Sequence, residues 1–135
     1  MPGCKDRSAA GQKDLVAPGQ ACIERIIALD DSLGGVRNHA CETISLTETI
    51  RQYTDAMGRF DYSDCPDAFT KAFQKHRKAW LALVPLVDQY PDLRGEMHDL
   101  FEQLENGRDS ATFKPLLKTV WDTWGEVERA MDSSQ

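Results

Sequence analysis

Large apolar residues recur along most of this sequence at steps of three and four. That period restricts the chain to helices that each hide one face from water. Phe69, Phe73, Trp80, Val84 and Val87 form the clearest stripe, with His76 where its next apolar residue would stand. An α-helix turns once in about 3.6 residues, so these positions lie on one side. The same spacing puts Cys22, Ile26, Leu29 and Leu33 on one face, widened by Ile23 and Ile27. It returns in Leu46, Ile50, Tyr53, Met57 and Phe60, and again in Leu93, Met97, Leu100, Phe101 and Leu104. A last set, Phe113, Leu117, Val120, Trp124, Val127 and Met131, is broadened by Leu116 and Trp121. Neither strand-like alternation nor an internal repeat stands beside these stripes.

Local chemistry divides the stripes into helices. Gly34-Gly35 is expected to stop the first, because glycine readily takes the left-handed conformation past a helix end. Residues 36 to 44 then read as a connection. Ser45-Leu46-Thr47-Glu48 is a capping box, in which Ser45 accepts from the Glu48 amide and Glu48 reaches back to the Ser45 amide. Asp61-Tyr62-Ser63-Asp64 has the residues of a turn. Pro66 suits the first position of the next helix, with Asp64 or Cys65 as its cap. Pro85 lacks a donor and clashes with the Leu81 carbonyl, which predicts a kink. Pro91 marks a restart, and residues 105 to 110 a further break. Pro115 is acceptable in a first helical turn, so the last helix should start near Asp109 to Thr112.

Short turns favour antiparallel neighbours. The expected fold is therefore all-α, an antiparallel up-down bundle of four main helices preceded by a shorter N-terminal one. It occupies residues 18 to 135, a suitable length for one domain. Residues 1 to 17 lack sustained periodicity and read as a disordered tether.

Charge narrows the function classes. The formal net charge is −6 and the pI about 5.0. A general nucleic-acid binder needs a basic face to displace counterions, and a membrane-surface helix is usually basic, so both are disfavoured. No apolar run approaches the roughly 18 residues needed to span a bilayer.

The four cysteines, Cys4, Cys22, Cys41 and Cys65, contain no Cys-x-x-Cys pair, which disfavours a zinc ribbon or a thioredoxin-like site. In an up-down arrangement the starts of the first and third helices share one end, which favours a Cys22–Cys65 disulfide. Should residues 36 to 44 fold back, Cys22–Cys41 becomes the alternative. In a reducing cytoplasm all would be thiols. Met1-Pro2-Gly3-Cys4 resembles the tail of a bacterial lipoprotein signal, although no apolar segment stands before it, and makes Cys4 a candidate lipid anchor.

His76 is the first candidate for a binding residue, with Trp80 beside it. Folding successive helices about their turns places it near Ile50 and Glu48 on one side, and near Glu105, Asp109 and Thr112 on another. A metal- or haem-binding bundle using His76 is one reading. Against it, the paired Glu-x-x-His motifs of di-iron bundles are absent, and Met57 and Met97 lie at other levels. The favoured reading is a core histidine, with one ring nitrogen hydrogen-bonded and the ring packed on Phe73 and Trp80. A stripe position of that kind predicts that His76→Leu keeps the fold.

Lys75 and Arg77, with Lys71 and Lys78, form a basic spot that can attract an acidic partner or be a solvated helix face. Arg94, Glu96, His98 and Asp99 crowd the start of the next helix around Gly95. An enzyme with acid-base residues near His98 is the last alternative, though no nucleophile or oxyanion-hole motif accompanies it. Trp121 and Trp124 cannot both occupy the centre of one narrow stripe. Core packing is favoured for the pair, and a groove or partner surface for one of them is the other reading.

Residues 65 to 80, with Cys65-Pro66, Phe69, Phe73, His76 and Trp80, resemble part of a group of small uncharacterised bacterial helical proteins. The resemblance covers at most residues 45 to 130. It implies a helical bundle that is exported or lipid-anchored, in the periplasm or cell envelope, and it implies no activity. The expectation is a non-catalytic module that binds a protein or a small ligand, needs no cofactor and takes no nucleic acid.

Overall fold

The computed structural model describes residues 17 to 133. Cys4 and the tether proposed for residues 1 to 17 lie outside that range, except for Ala17 at its edge. Among the described residues the protein is all-α, without strands. The helices are α1 (Pro18–Ala40), α2 (Leu46–Gly58), α3 (Asp67–Leu81), the single turn α4 (Val84–Val87), α5 (Met97–Glu105) and α6 (Ser110–Ser133). They pack as a helical bundle, with α3 lying along α6, α2 on α3 and α1 on α2.

The stripes find one another much as their spacing requires. Phe69, Phe73, Ile50, Met57, Leu100, Phe113 and Val120 are all fully buried. Each large apolar side chain taken from water contributes roughly 1.5–3 kcal/mol. Between α2 and α3 the contacts descend in order: Phe60 meets Phe73, the Thr54 carbonyl accepts from Arg77, and Tyr53 meets Trp80. Between α3 and α6, Lys75 meets Glu126 and His76 meets Thr123.

The N-terminal helix differs from its expected form. It runs 23 residues, straight through Gly34 and Gly35, and is far from being a short preliminary element. Each helical glycine costs about 1 kcal/mol relative to alanine. Contacts beyond the glycine pair offset that cost: Arg37 stacks on two rings of the bundle, and Cys41 is fully buried with its carbonyl accepting from Gly95. The buried face of α1 is also rotated from the expected stripe. Cys22, Ile23 and Ile26 are buried, whereas Leu29 is 42% exposed.

Other boundaries follow local chemistry with adjustments. Ser45 accepts from the Glu48 amide at 3.1 Å, but the Glu48 carboxylate accepts from Gln52 instead of turning back, so half of the capping box forms. Ser63 donates through its amide and its hydroxyl to Asp61, closing the expected turn. Pro66 itself takes the cap position of α3, and no side chain caps that helix. Pro85 ends α3 outright instead of kinking it, and sits in the first turn of α4. Pro115 falls in the second turn of α6, since that helix begins at Ser110.

Cys22 and Cys65 form the disulfide, with Cα atoms 5.1 Å apart, tying the start of α1 to the start of α3. Cys41 is a buried free thiol lying on the Arg37 and Asn38 carbonyls. Among the described residues no helix is long and apolar enough to cross a membrane.

Candidate functional site

His76 is 3% exposed, and both ring nitrogens have partners. Trp80 Nε1 donates to His76 Nε2 at 3.2 Å, and His76 Nδ1 lies 2.9 Å from Thr123 Oγ1. Thr123 spends its single hydroxyl proton on the Thr119 and Val120 carbonyls, so towards His76 it accepts. An indole N–H can only donate. The imidazole is thereby fixed as the neutral form with its proton on Nδ1. Burial pushes its pKa down to about 4, helped by the charge of Arg37. Phe73, Trp80 and Trp124 surround the ring at centroid distances of 6.3, 6.4 and 5.2 Å.

His76 is buried and packs on Phe73 and Trp80 as the core reading expects, but its neighbours from other helices are not those expected. Thr123 and Trp124 stand where the sequence placed Glu48, Glu105 and Thr112, because α3 lies against the middle of the 24-residue α6. Among the described residues, no group of three or more His, Cys, Asp and Glu side chains is placed to hold a metal ion.

His76 and Trp80 form the inner wall of a groove of about 480 Å³ between α1 and α6. Arg37 reaches into it from α1. Its guanidinium carbon lies 4.7 Å from the Tyr53 ring centre and 4.5 Å from that of Trp80. Those two rings meet edge to face at 5.3 Å, so the cation rests on both π-faces. Arg37 Nε and Nη2 donate to Asn38 Oδ1. Among the described residues no carboxylate oxygen lies within 4.0 Å of the guanidinium.

Acidic groups stand close by. Tyr53 donates its hydroxyl to Asp30 at 2.6 Å. Burial raises the Asp30 pKa above its usual 3.8, against the pull of Tyr53 and Arg37. Burial also raises the Tyr53 phenol, which stays protonated as the donor. Asp31 is exposed on the same rim. Opposite them Trp121 is 55% exposed, with Trp124 partly buried beside it.

Gly34 and Gly35 form the α1 side of this groove. A Cβ on Gly35 would meet nothing within 4 Å, and one on Gly34 would meet only the Arg37 guanidinium, at 3.6 Å or beyond. Neither glycine is needed for close helix packing. Their effect is to leave two adjacent positions of α1 without side chains, so the groove stays open above the rings. Other clefts reach similar volume, such as one of about 510 Å³ at Tyr90, Leu93 and Arg108. Volume does not separate them. The lining does: both clefts hold an arginine stacked on a tyrosine, but only the α1–α6 groove of the two adds lining carboxylates and an exposed indole.

The remaining sequence candidates have structural work elsewhere. Lys75 is exposed and pairs with Glu126 at 3.0 Å. Arg77 leaves the basic spot, donates to the Thr54 carbonyl at 2.7 Å and lies against Gly58. Arg94 donates to the Pro91 and Leu93 carbonyls. Glu96 is not on a helix face but caps α5, accepting from the His98 and Asp99 amides. Its other oxygen meets His98 Nδ1 at 2.6 Å, and that contact is the main cause that lowers the Glu96 pKa. The His98 side chain is 71% exposed. Gly95 precedes this helix and does not interrupt it. Its φ is +155°, and a Cβ there would come within 2.9 Å of Leu100.

Arg37, Asp30, Asp31 and the glycine pair are the groove residues that the sequence reading passed over. Asp30 and Arg37 continue the Ile23–Ile26 face in three- and four-residue steps, a signal hidden once α1 was ended at Gly34. No family model, no curated protein and no solved structure matches the chain.

Proposed function

We propose that this protein is a non-catalytic module of the bacterial cell envelope that binds a small organic ligand in the α1–α6 groove. On this reading the bundle is an antiparallel up-and-down one, as the descending order of α2–α3 contacts supports. One observation carries the proposal. Arg37 is a guanidinium stacked on Tyr53 and Trp80 with no carboxylate oxygen of the described residues within 4.0 Å, its charge answered only at longer range by Asp30 behind the Tyr53 hydroxyl, in an open groove that also shows Trp121 to solvent. Binding sites commonly combine a mostly apolar concave wall with a few fixed polar groups, in volumes of about 300–1,000 Å³. The Cys22–Cys65 disulfide is compatible with an oxidising compartment such as the periplasm.

Indole is a suitable probe because it is neutral and planar. Titrated into ¹⁵N-labelled protein, it should move the side-chain N–H signals of Trp121 and Trp124 saturably. Absence of saturable movement at either signal would remove the groove as a binding site.

A further inference from the structure

We propose that the ligand of this groove is a free α-amino acid with an apolar or aromatic side chain. Its carboxylate meets Arg37, its ammonium meets Asp31, and its side chain lies against Trp121. This deepens the small-ligand reading and rests on it.

The charges of the groove argue for a zwitterion by elimination. The Arg37 guanidinium already stacks on Tyr53 and Trp80, which disfavours a second cation, such as a quaternary ammonium ligand, against those rings. A simple anion would find Arg37 but also Asp30 and Asp31 on the same wall. One positive and two negative side chains suit a molecule that carries both signs.

The placement of these groups suits it further. Asp31 and Arg37 are six residues apart on α1, ~9 Å of axis. Gly34 lies midway, and the guanidinium folds back over it, with Nη2 3.6 Å from the position of a Cβ. A positive and a negative centre therefore stand either side of a position without a side chain, farther apart than an ion pair. Arginine has five N–H donors in one plane, so its two bonds to Asn38 and its contact with the Tyr53 hydroxyl still leave donors for a carboxylate. Asp30 is occupied by Tyr53, which leaves the exposed Asp31 as the carboxylate for an ammonium group. Trp121 supplies a large, rigid apolar surface opposite.

Calorimetric titration of the oxidised full chain with phenylalanine, phenylalaninamide and N-acetylphenylalanine tests this. Phenylalanine should bind at least tenfold more tightly than either blocked form. Asp31→Asn, a surface change on a helix, should weaken phenylalanine at least fivefold and leave N-acetylphenylalanine no weaker. Equal affinity for all three compounds, or no change in Asp31→Asn, overturns the zwitterion. If indole binds and phenylalanine does not, the amino-acid proposal falls while the groove reading survives. If neither binds, both fall.

Discussion

Trp80 donates its indole proton to His76 Nε2 one helical turn away, at 3.2 Å, in a region that both residues share with almost no solvent. This single bond changes what the histidine means. An apolar replacement at a stripe position is expected to be harmless. Here it would strand a buried indole N–H, and an unsatisfied buried donor costs about 1–3 kcal/mol. His76→Leu should therefore lower the unfolding free energy in urea by about that amount. His76→Gln, whose carbonyl can accept from Trp80, should lose less. Equal stability of His76→Leu and the wild type would mean the bond contributes nothing.

The same bond sets a pH dependence. The folded His76 pKa, near 4, lies below the ordinary unfolded value of about 6.5. As pH falls through 6.5 the unfolded chain takes a proton that the folded chain refuses, so stability declines until about pH 4. The full difference amounts to roughly 3–4 kcal/mol. Protonation would also point an N–H at the Trp80 donor. Urea unfolding at several pH values should show this slope, and His76→Gln should flatten it between pH 6.5 and 4.

Removing the disulfide should cost more than either substitution at His76. Cys22 and Cys65 are 43 residues apart in sequence. Releasing a loop of that size gives the unfolded chain entropy worth about 4 kcal/mol on the chain-entropy view. The Cys22→Ala, Cys65→Ala double variant should show a loss of about 2–4 kcal/mol in denaturant. Peptide mapping of the oxidised wild type should recover the Cys22–Cys65 link and leave Cys41 available to alkylation after unfolding.

The glycines divide into two kinds. Gly34→Ala and Gly35→Ala should each stabilise by about 0.5–1 kcal/mol, because a helical alanine replaces a glycine with room for its methyl. Gly95→Ala should destabilise by about 1–3 kcal/mol, since both its φ and Leu100 oppose a side chain. Thermal or urea unfolding of the three variants should give these opposite signs.

Much of the bundle was legible in the apolar period. Phe69, Phe73, Val120 and Leu100 went where their spacing sent them, and the shared end of two helices made Cys22–Cys65 the favoured disulfide. The groove was less legible because glycine has two meanings in a helix. Gly34-Gly35 looks like a stop, yet contacts at Arg37 and Cys41 carry α1 onward. Once α1 is extended, Asp30 and Arg37 turn inward and Trp121 gains a facing wall. Helix register was the other missing quantity. No periodicity says how far α6 slides along α3, so Thr123 could not be named as the partner of His76.

The groove itself is best tested by intermolecular nuclear Overhauser effects from bound indole. Contacts from its ring protons to the Gly34 and Gly35 α-protons and to the Trp121 ring are the predicted result. Contacts confined to the cleft at Tyr90 and Arg108, or to the exposed Leu29 and Val36, would place binding elsewhere and contradict the assignment.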